Sequence, residues 1–101
     1  MVAELDGDLV GYAAQGRFFD YDFLELLAVR PDKRRQGIAT ALIQVVEDRS
    51  SSGKLFTSTN RSNTAMRKLC DRLGFQPSGI VENLDNDDPE LIYFKRLEVA
   101  R

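Results

Sequence analysis

Hydrophobic and polar residues alternate in several short stretches of the chain, a pattern typical of β-strands buried on one side. It predicts strands at residues 2–5, 9–18, 23–29, 54–59, 79–84 and 91–97. Asp6-Gly7-Asp8 separates the first two stretches, and Asp-Gly at such a position favours a tight hairpin. The acidic segment at residues 85–89, which ends in Pro89, is predicted to be the turn before the last strand.

Two other stretches repeat their hydrophobic residues with the spacing of an amphipathic helix. The first begins at Ile38 and ends near the serine- and glycine-rich residues 50–53. The second has Ser62 or Asn63 as its N-cap, and Gly74 is placed to end it in a left-handed cap. The order ββ-β-α-β-α-ββ predicts an α/β (α+β) fold whose mixed sheet is partly parallel and partly antiparallel.

Composition limits the chemistry open to the chain. Its 101 residues, 43% of them hydrophobic, predict one domain over residues 1–101. The sequence contains no histidine, which excludes imidazole-based triads and histidine metal sites, and no metal is expected. The single cysteine, Cys70, forbids an internal disulfide and suits a cytoplasmic location. No apolar run reaches the ~18 residues of a membrane span.

Positive charge is concentrated between the third strand and the first helix, at Arg30, Lys33, Arg34 and Arg35, although the net charge is −2. Backbone N–H groups at a helix N-terminus converge on an anion, so this segment predicts a site for a small phosphate-bearing ligand. A slightly acidic protein gives no reason to expect nucleic acid as its partner. The alternative is a solvated basic turn before a surface helix.

The segment Arg34-Arg35-Gln36-Gly37-Ile38-Ala39 fits a phosphate-loop pattern of Arg or Gln, two residues, Gly, one residue, and Gly or Ala. Downstream, Asn63 is followed by a predicted helix that ends in Gly74-Phe75. In both respects, and over nearly its whole length, the chain resembles the GNAT superfamily of N-acyltransferases that use acetyl-coenzyme A (acetyl-CoA). The resemblance implies a sheet whose central parallel strands splay apart around the cofactor.

The resemblance also assigns the cofactor contacts. The splayed strands would be 23–29 and 54–59, and the backbone of Leu27, Ala28 and Val29 would bond the pantetheine arm, with the Leu27 N–H facing the thioester oxygen. Asn63 would bond the arm from the far side, in addition to its alternative role as an N-cap. The loop expected to hold the pyrophosphate comprises Arg34, Arg35, Gln36, Gly37, Ile38, Ala39 and Thr40.

Transfer to an amine needs a base, because only a neutral nitrogen attacks. Glu25 is the candidate, at a position where several relatives carry a catalytic glutamate; its leucine neighbours would desolvate it, or it simply faces solvent. Other relatives place the base near Ser58, which cannot serve alone. Cys70 stands where many relatives have a tyrosine acid, and is either that acid or a small core residue. Other candidates for the acid are Tyr12, Tyr21 and Tyr93.

Relatives usually have a strand and helices before the hairpin, so the chain is expected to be a minimal or N-terminally truncated member. Strand 2–5 would then be an exposed sheet edge, which favours a homodimer. The predicted function is acetyl transfer from acetyl-CoA to a primary amine in a ternary complex. Acidic residues near the cleft would favour a cationic amine, unless they are only solvated surface charge. The alternative function is a non-catalytic module that binds acetyl-CoA or coenzyme A.

Overall fold

Six strands form a single sheet in the order β1-β2-β3-β4-β6-β5 in the computed structural model, which describes residues 1–98. Strands β3 and β4 are parallel and all other neighbours are antiparallel. A short 3-10 turn, Pro31–Lys33, precedes the first helix. The predicted element order and mixed α+β fold are therefore confirmed. The elements are β1 (Val2–Leu5), β2 (Asp8–Phe18), β3 (Tyr21–Val29), α1 (Ile38–Arg49), β4 (Lys54–Asn60), α2 (Thr64–Arg72), β5 (Gln76–Val81) and β6 (Glu90–Arg96).

The two predicted glycine turns are present. Asp6 and Gly7 both have positive φ, 51° and 84°, as a type I′ hairpin turn requires. After α2, Gly74 has φ 88° and the Phe75 N–H donates to the Cys70 carbonyl at 2.9 Å. This left-handed cap ends the helix and turns the chain toward β5.

Both helices pack on one face of the sheet. Leu24 and Leu55 lie under the buried residues of α1, and Tyr93 lies in the same cluster as Leu69 and Cys70 of α2. Gly11 of β2 lets α1 pack closely on the sheet, because a Cβ there would lie 3.3 Å from side-chain atoms of Ile38 and Leu42. The core therefore forms between the sheet and the two helices.

The opposite face of the sheet carries a row of aromatic side chains, Phe18, Tyr21, Phe23, Phe56 and Phe94, which we call the aromatic face. Neighbouring ring centroids lie 5.1 to 5.9 Å apart. The rings are half-buried, because both helices of residues 1–98 pack on the other face.

One strand prediction is wrong in its position. The fifth strand was expected at residues 79–84 but runs over Gln76–Val81. Pro77 and Gly79 disfavour a paired strand, yet β5 is a sheet edge, where a proline costs no ladder hydrogen bond and the register shifts between these residues. Every residue of β5 is exposed, so no buried alternation marks it in the sequence.

Candidate functional site

Strands β3 and β4 separate after only three paired positions, the last being Leu24 and Thr57. Both strands continue, to Val29 and Asn60, without pairing to each other. At the last paired position the Thr57 hydroxyl donates to the Leu24 carbonyl at 3.0 Å, inside the core. The expected splay is therefore present, and we call the space between residues 25–29 and 58–60 the gap.

A β-bulge at Glu25 coincides with the start of the gap. Ala14 of β2 pairs with Leu26 and Gln15 pairs with Leu24, so Glu25 has no partner across the ladder. A bulge bends its strand and increases the local twist. The extra residue in β3 therefore accounts for its departure from β4.

The backbone of β3 beyond the bulge presents hydrogen-bonding groups to the gap. The Arg30 N–H donates to the Val10 carbonyl of β2 at 2.8 Å. Because backbone groups alternate sides along a strand, the N–H and C=O groups of Val29 and Leu27 point away from β2. Ala28 instead faces β2. This arrangement fits an extended ligand with amide groups lying between the strands.

The loop before α1 follows the end of β3 and has the backbone geometry of a candidate anion site. Gly37, the N-cap of α1, has φ 78° and no side chain with which to cap the first turn. Arg35 also has positive φ, 66°, which is uncommon for a residue with a side chain. The N–H groups of the first turn thus have no side-chain acceptor at the N-cap, and the helix dipole favours a negative ligand there.

The side chains of this loop differ in their burial. Ile38 is buried and anchors α1, Ala39 and Thr40 are half-buried, and Arg34, Arg35 and Gln36 are exposed. Of the basic residues in the turn, Arg30 is already engaged, since its guanidinium donates to Asp32 at 2.7 Å. Lys33, Arg34 and Arg35 form no ion pair within residues 1–98, so their charge is available to an anionic ligand.

Asn63 is the N-cap of α2, and its side-chain oxygen accepts from the Met66 N–H at 3.1 Å. Ser62, the other candidate, instead donates to Asp88 at 2.6 Å. Asn63 follows the end of β4 by three residues and is exposed. It therefore lies beyond the β4 side of the gap, across from the α1 loop.

Glu25, the candidate base, is exposed, and its neighbour Leu26 is 55% exposed. The expectation that the flanking leucines desolvate Glu25 is therefore wrong, because the bulge turns Leu26 outward. The carboxylate lies over Gly16 of β2, where a Cβ would be only 2.8 Å from its Oε2 atom. In this conformation the side chain leans toward β2 rather than β4.

Cys70, the candidate acid, lies in the hydrophobic core and is 1% exposed. Burial raises the pKa of its thiol to about 11, because the apolar surroundings disfavour the thiolate. This placement supports the alternative role as a small core residue. Its role as an acid stays a prediction. Among the tyrosines, Tyr93 is buried, Tyr21 is half-buried and Tyr12 is exposed.

Sequence reasoning missed a set of polar contacts at the far end of β4. The Ser58 hydroxyl donates to Glu90 Oε2 at 2.6 Å, and the Asn60 amide donates to Asp85 at 2.8 Å. These partners are 32 and 25 residues apart, so no local pattern predicts them. The Asn60 contact, together with that of Ser62 to Asp88, holds the acidic segment 85–89 against the end of β4 and the residues that follow it.

Within residues 1–98, no group of three or more His, Cys, Asp or Glu side chains is arranged to hold a metal ion. Across the same residues, no helix has the length and apolar character needed to cross a membrane.

Comparison with known proteins places the chain in a family. The acetyltransferase (GNAT) domain matches residues 1–77. A solved GNAT-family acetyltransferase from Bacillus cereus ATCC 10987 is 41% identical, with a TM-score of 0.89 over 96% of this chain and 69% of that chain. The ribosomal-protein-S18-alanine N-acetyltransferase from Escherichia coli is 26% identical, with a TM-score of 0.80 over 97% of this chain and 68% of that chain.

A third solved structure, a GNAT-family acetyltransferase from Elizabethkingia anophelis with acetyl-CoA bound, is 19% identical and shows a similar fold, with a TM-score of 0.83. The match covers 95% of this chain and 74% of that chain. No curated protein matches the chain. Since the family domain matches residues 1–77 of 101, and the fold is shared with these enzymes, the chain belongs to the GNAT acetyltransferase family.

Proposed function

We propose that the protein transfers an acetyl group from acetyl-CoA to a primary amine, by direct attack in a ternary complex. The observation that carries the proposal is the gap between β3 and β4, which opens beside the N-terminus of α1. The gap suits an extended arm that carries amide groups, and the loop before α1 suits a phosphate. Acetyl-CoA has both parts, and when bound it supplies an activated thioester.

The residues around the gap fit this cofactor. The N–H groups of residues 37–40, with Arg34 and Arg35, would hold the pyrophosphate. The side chain of Gln36 is exposed at the same loop. Leu27 and Val29 would bond the amides of the arm, with the Leu27 N–H at the thioester oxygen. Asn63 would contact the arm from the β4 side of the gap.

Glu25 would assist deprotonation of the amine, directly or through water. Its exposure allows a cationic amine to approach it, and the bulge places it at the start of the gap. Cys70 would act as the acid only if the core opened around it. Replacing Cys70 by alanine tests that role: turnover within about threefold of the wild type would exclude it, since a general acid contributes about 100-fold or more.

The acceptor is a primary amine of a small molecule or a peptide. The Escherichia coli relative, 26% identical, is named for acetylation of an alanine in ribosomal protein S18. That name supports including a peptide with an N-terminal alanine among the acceptors tested. A cytoplasmic location is proposed from the single cysteine, and a homodimer from the exposed edge of β1.

The alternative function is a module that binds acetyl-CoA without turnover, and the burial of Cys70 favours it. The experiment measures acetyl-CoA binding by calorimetry and release of the coenzyme A thiol with phenethylamine, spermidine and an alanine-initiated peptide. Binding together with thiol release above background supports the enzyme. Binding without thiol release on any acceptor supports the module, and absence of binding contradicts both.

A further inference from the structure

We propose that Ser58 and Glu90 form a proton relay that removes a proton from the acceptor amine. The inference rests on the proposed acetyltransferase function. It assigns a role to two residues on β4 and β6, on the side of the gap opposite Glu25. The distance that suggests it is the 2.6 Å hydrogen bond from the Ser58 hydroxyl to Glu90 Oε2.

Ser58 is the first residue of β4 beyond its pairing with β3, since the last paired residue is Thr57. Side chains alternate along a strand, so Ser58 lies on the face opposite the buried Thr57, which is the aromatic face. The Ser58 hydroxyl therefore stands at the start of the gap. An amine approaching a thioester held near Leu27 from that face passes beside it.

The hydrogen bond between the two residues has the length of a bond to an ionised carboxylate. Both residues are half-buried. The backbone of Glu90 is fixed from both sides, because it pairs with Asn60 of β4 and with Val81 of β5. With its hydrogen directed at Glu90, the Ser58 oxygen keeps a lone pair that can accept a hydrogen from the amine.

Glu25 is less well placed for the same step. Its carboxylate lies over Gly16, on the β2 side of β3, and is exposed. The relay therefore refines the role proposed for Glu25 above: Glu25 attracts the ammonium group from solvent, and Ser58 and Glu90, in place of Glu25, receive its proton at the gap.

An alkylammonium ion passes one proton to Ser58 Oγ while the Ser58 proton passes to Glu90 Oε2, and Glu90 later releases its proton to water. The neutral nitrogen attacks the thioester carbonyl carbon, so that a C–N bond forms and the C–S bond breaks. The second nitrogen proton ends on the sulfur. The products are the acetamide, the coenzyme A thiol and one proton in solution.

The test uses the full chain with two acceptors of similar size, ethylamine, which is protonated at neutral pH, and trifluoroethylamine, which is largely unprotonated. Glu90→Gln keeps an acceptor for the Ser58 hydroxyl, and Ser58→Thr keeps the hydroxyl. Glu90→Gln and Ser58→Ala should each lower kcat for ethylamine by about 100-fold. The charge control Glu82→Gln should stay within about threefold of the wild type. Ser58→Thr should recover at least about tenfold in kcat relative to Ser58→Ala, because it keeps the hydroxyl.

Four further readouts separate a relay from a structural role. With trifluoroethylamine, the loss in Glu90→Gln should shrink to less than about tenfold, because no proton need be removed before attack. The double variant should be no slower than either single variant, because the residues act as a unit. The Kd for acetyl-CoA, by calorimetry, and the Tm should match the wild type in Glu90→Gln.

A Glu90→Gln or Ser58→Ala enzyme within threefold of the wild type overturns the relay, and so do equal losses with both amines or losses that multiply in the double variant. These outcomes would not contradict the proposed acetyltransferase function. If the wild-type chain transfers no acetyl group to any amine, the proposed function fails and the relay fails with it.

Discussion

Gly37 is the residue whose conformation the candidate site depends on most directly. Its positive φ of 78° turns the chain into α1, and nothing lies within 4 Å of the position of a Cβ there. The sequence motif identifies this glycine. The structure adds that the space above it is open, so a side chain at residue 37 would extend into the region where a phosphate would lie.

Gly37→Val should weaken acetyl-CoA binding by about tenfold or more, equivalent to about 1.4 kcal/mol, with little change in kcat. Calorimetry measures the affinity. The matched control is Gly7→Val, because Gly7 also has positive φ, 84°, and open space around it, but lies in the β1–β2 turn. Each variant should lose about 1 to 3 kcal/mol of stability from backbone strain. If Gly37→Val and Gly7→Val bind acetyl-CoA with equal affinity, the loop before α1 does not hold the cofactor.

Asp22 is a buried carboxylate that the site does not use. It accepts hydrogen bonds from the Gln15 side chain, the Ser51 and Ser52 N–H groups and the Ser52 hydroxyl, the last at 2.6 Å. Burial by itself raises the pKa of Asp22, but these hydrogen bonds outweigh it and hold the pKa below its ordinary value of 3.8. The interactions tie the α1–β4 connection to the start of β3.

A carboxyl group with a lowered folded-state pKa stabilises the protein above its unfolded pKa, and this stability is lost as the pH falls through the folded value. We therefore expect the free energy of unfolding, measured with urea, to fall below about pH 4 as Asp22 takes up a proton. Asp22→Asn should lower the free energy of unfolding by about 2 to 3 kcal/mol at pH 7, and its stability should fall less than that of the wild type below about pH 4. If the stability of Asp22→Asn falls as much as that of the wild type, Asp22 is not the cause of the acid destabilisation.

At the scale of elements, the separation of β3 from β4 decides whether a site exists. The Thr57 hydroxyl donates to the Leu24 carbonyl at the last paired position, and the Glu25 bulge follows it. The hydrogen bond secures the last paired position, and the bulge lies at the next residue of β3. Together they define where the gap begins.

Thr57→Val keeps the shape of the side chain but removes the buried hydrogen bond, so it should lower the free energy of unfolding by about 1 kcal/mol. Thr59→Val is the control on the same strand and the same buried face, without a hydroxyl bond to β3. Urea unfolding measures both variants. If Thr59→Val costs as much as Thr57→Val, the hydrogen bond does not secure the end of the ladder.

At the scale of the whole molecule, the sheet within residues 1–98 has two exposed edges, β1 and β5. In the first of them, Met1 exchanges backbone hydrogen bonds with Ala13. The backbone groups of Val2 therefore point outward, and its side chain is 61% exposed. An outward row of unpaired groups is a template for pairing with a second strand, which supports the proposed homodimer.

Val2→Pro removes one outward N–H without touching a bond to β2, so it should convert the proposed dimer into a monomer with the same circular dichroism spectrum. Sedimentation velocity across a concentration series measures the change. A wild-type chain that stays monomeric at high concentration would contradict the homodimer, and a dimer that persists in Val2→Pro would place the interface elsewhere.

Local features could be predicted from the sequence because they depend on neighbouring residues. The hairpin at Asp6 and Gly7, the left-handed cap at Gly74 and the glycine entry to α1 each follow from backbone preferences. The position of β5 could not be predicted, because an exposed edge strand carries no hydrophobic alternation. The bulge at Glu25 depends on the register with β2, which no local pattern expresses.

The sequence alone determined the element order, the family resemblance and the glycine entry to α1, since these follow from periodicity, turn chemistry and motif spacing. Only the tertiary structure decided which side chains meet. Pairing between distant strands brought Ser58 to Glu90, turned Glu25 over Gly16 and buried Cys70. Contacts between residues far apart in the chain arise from packing and register, so they become visible only when the sheet is assembled.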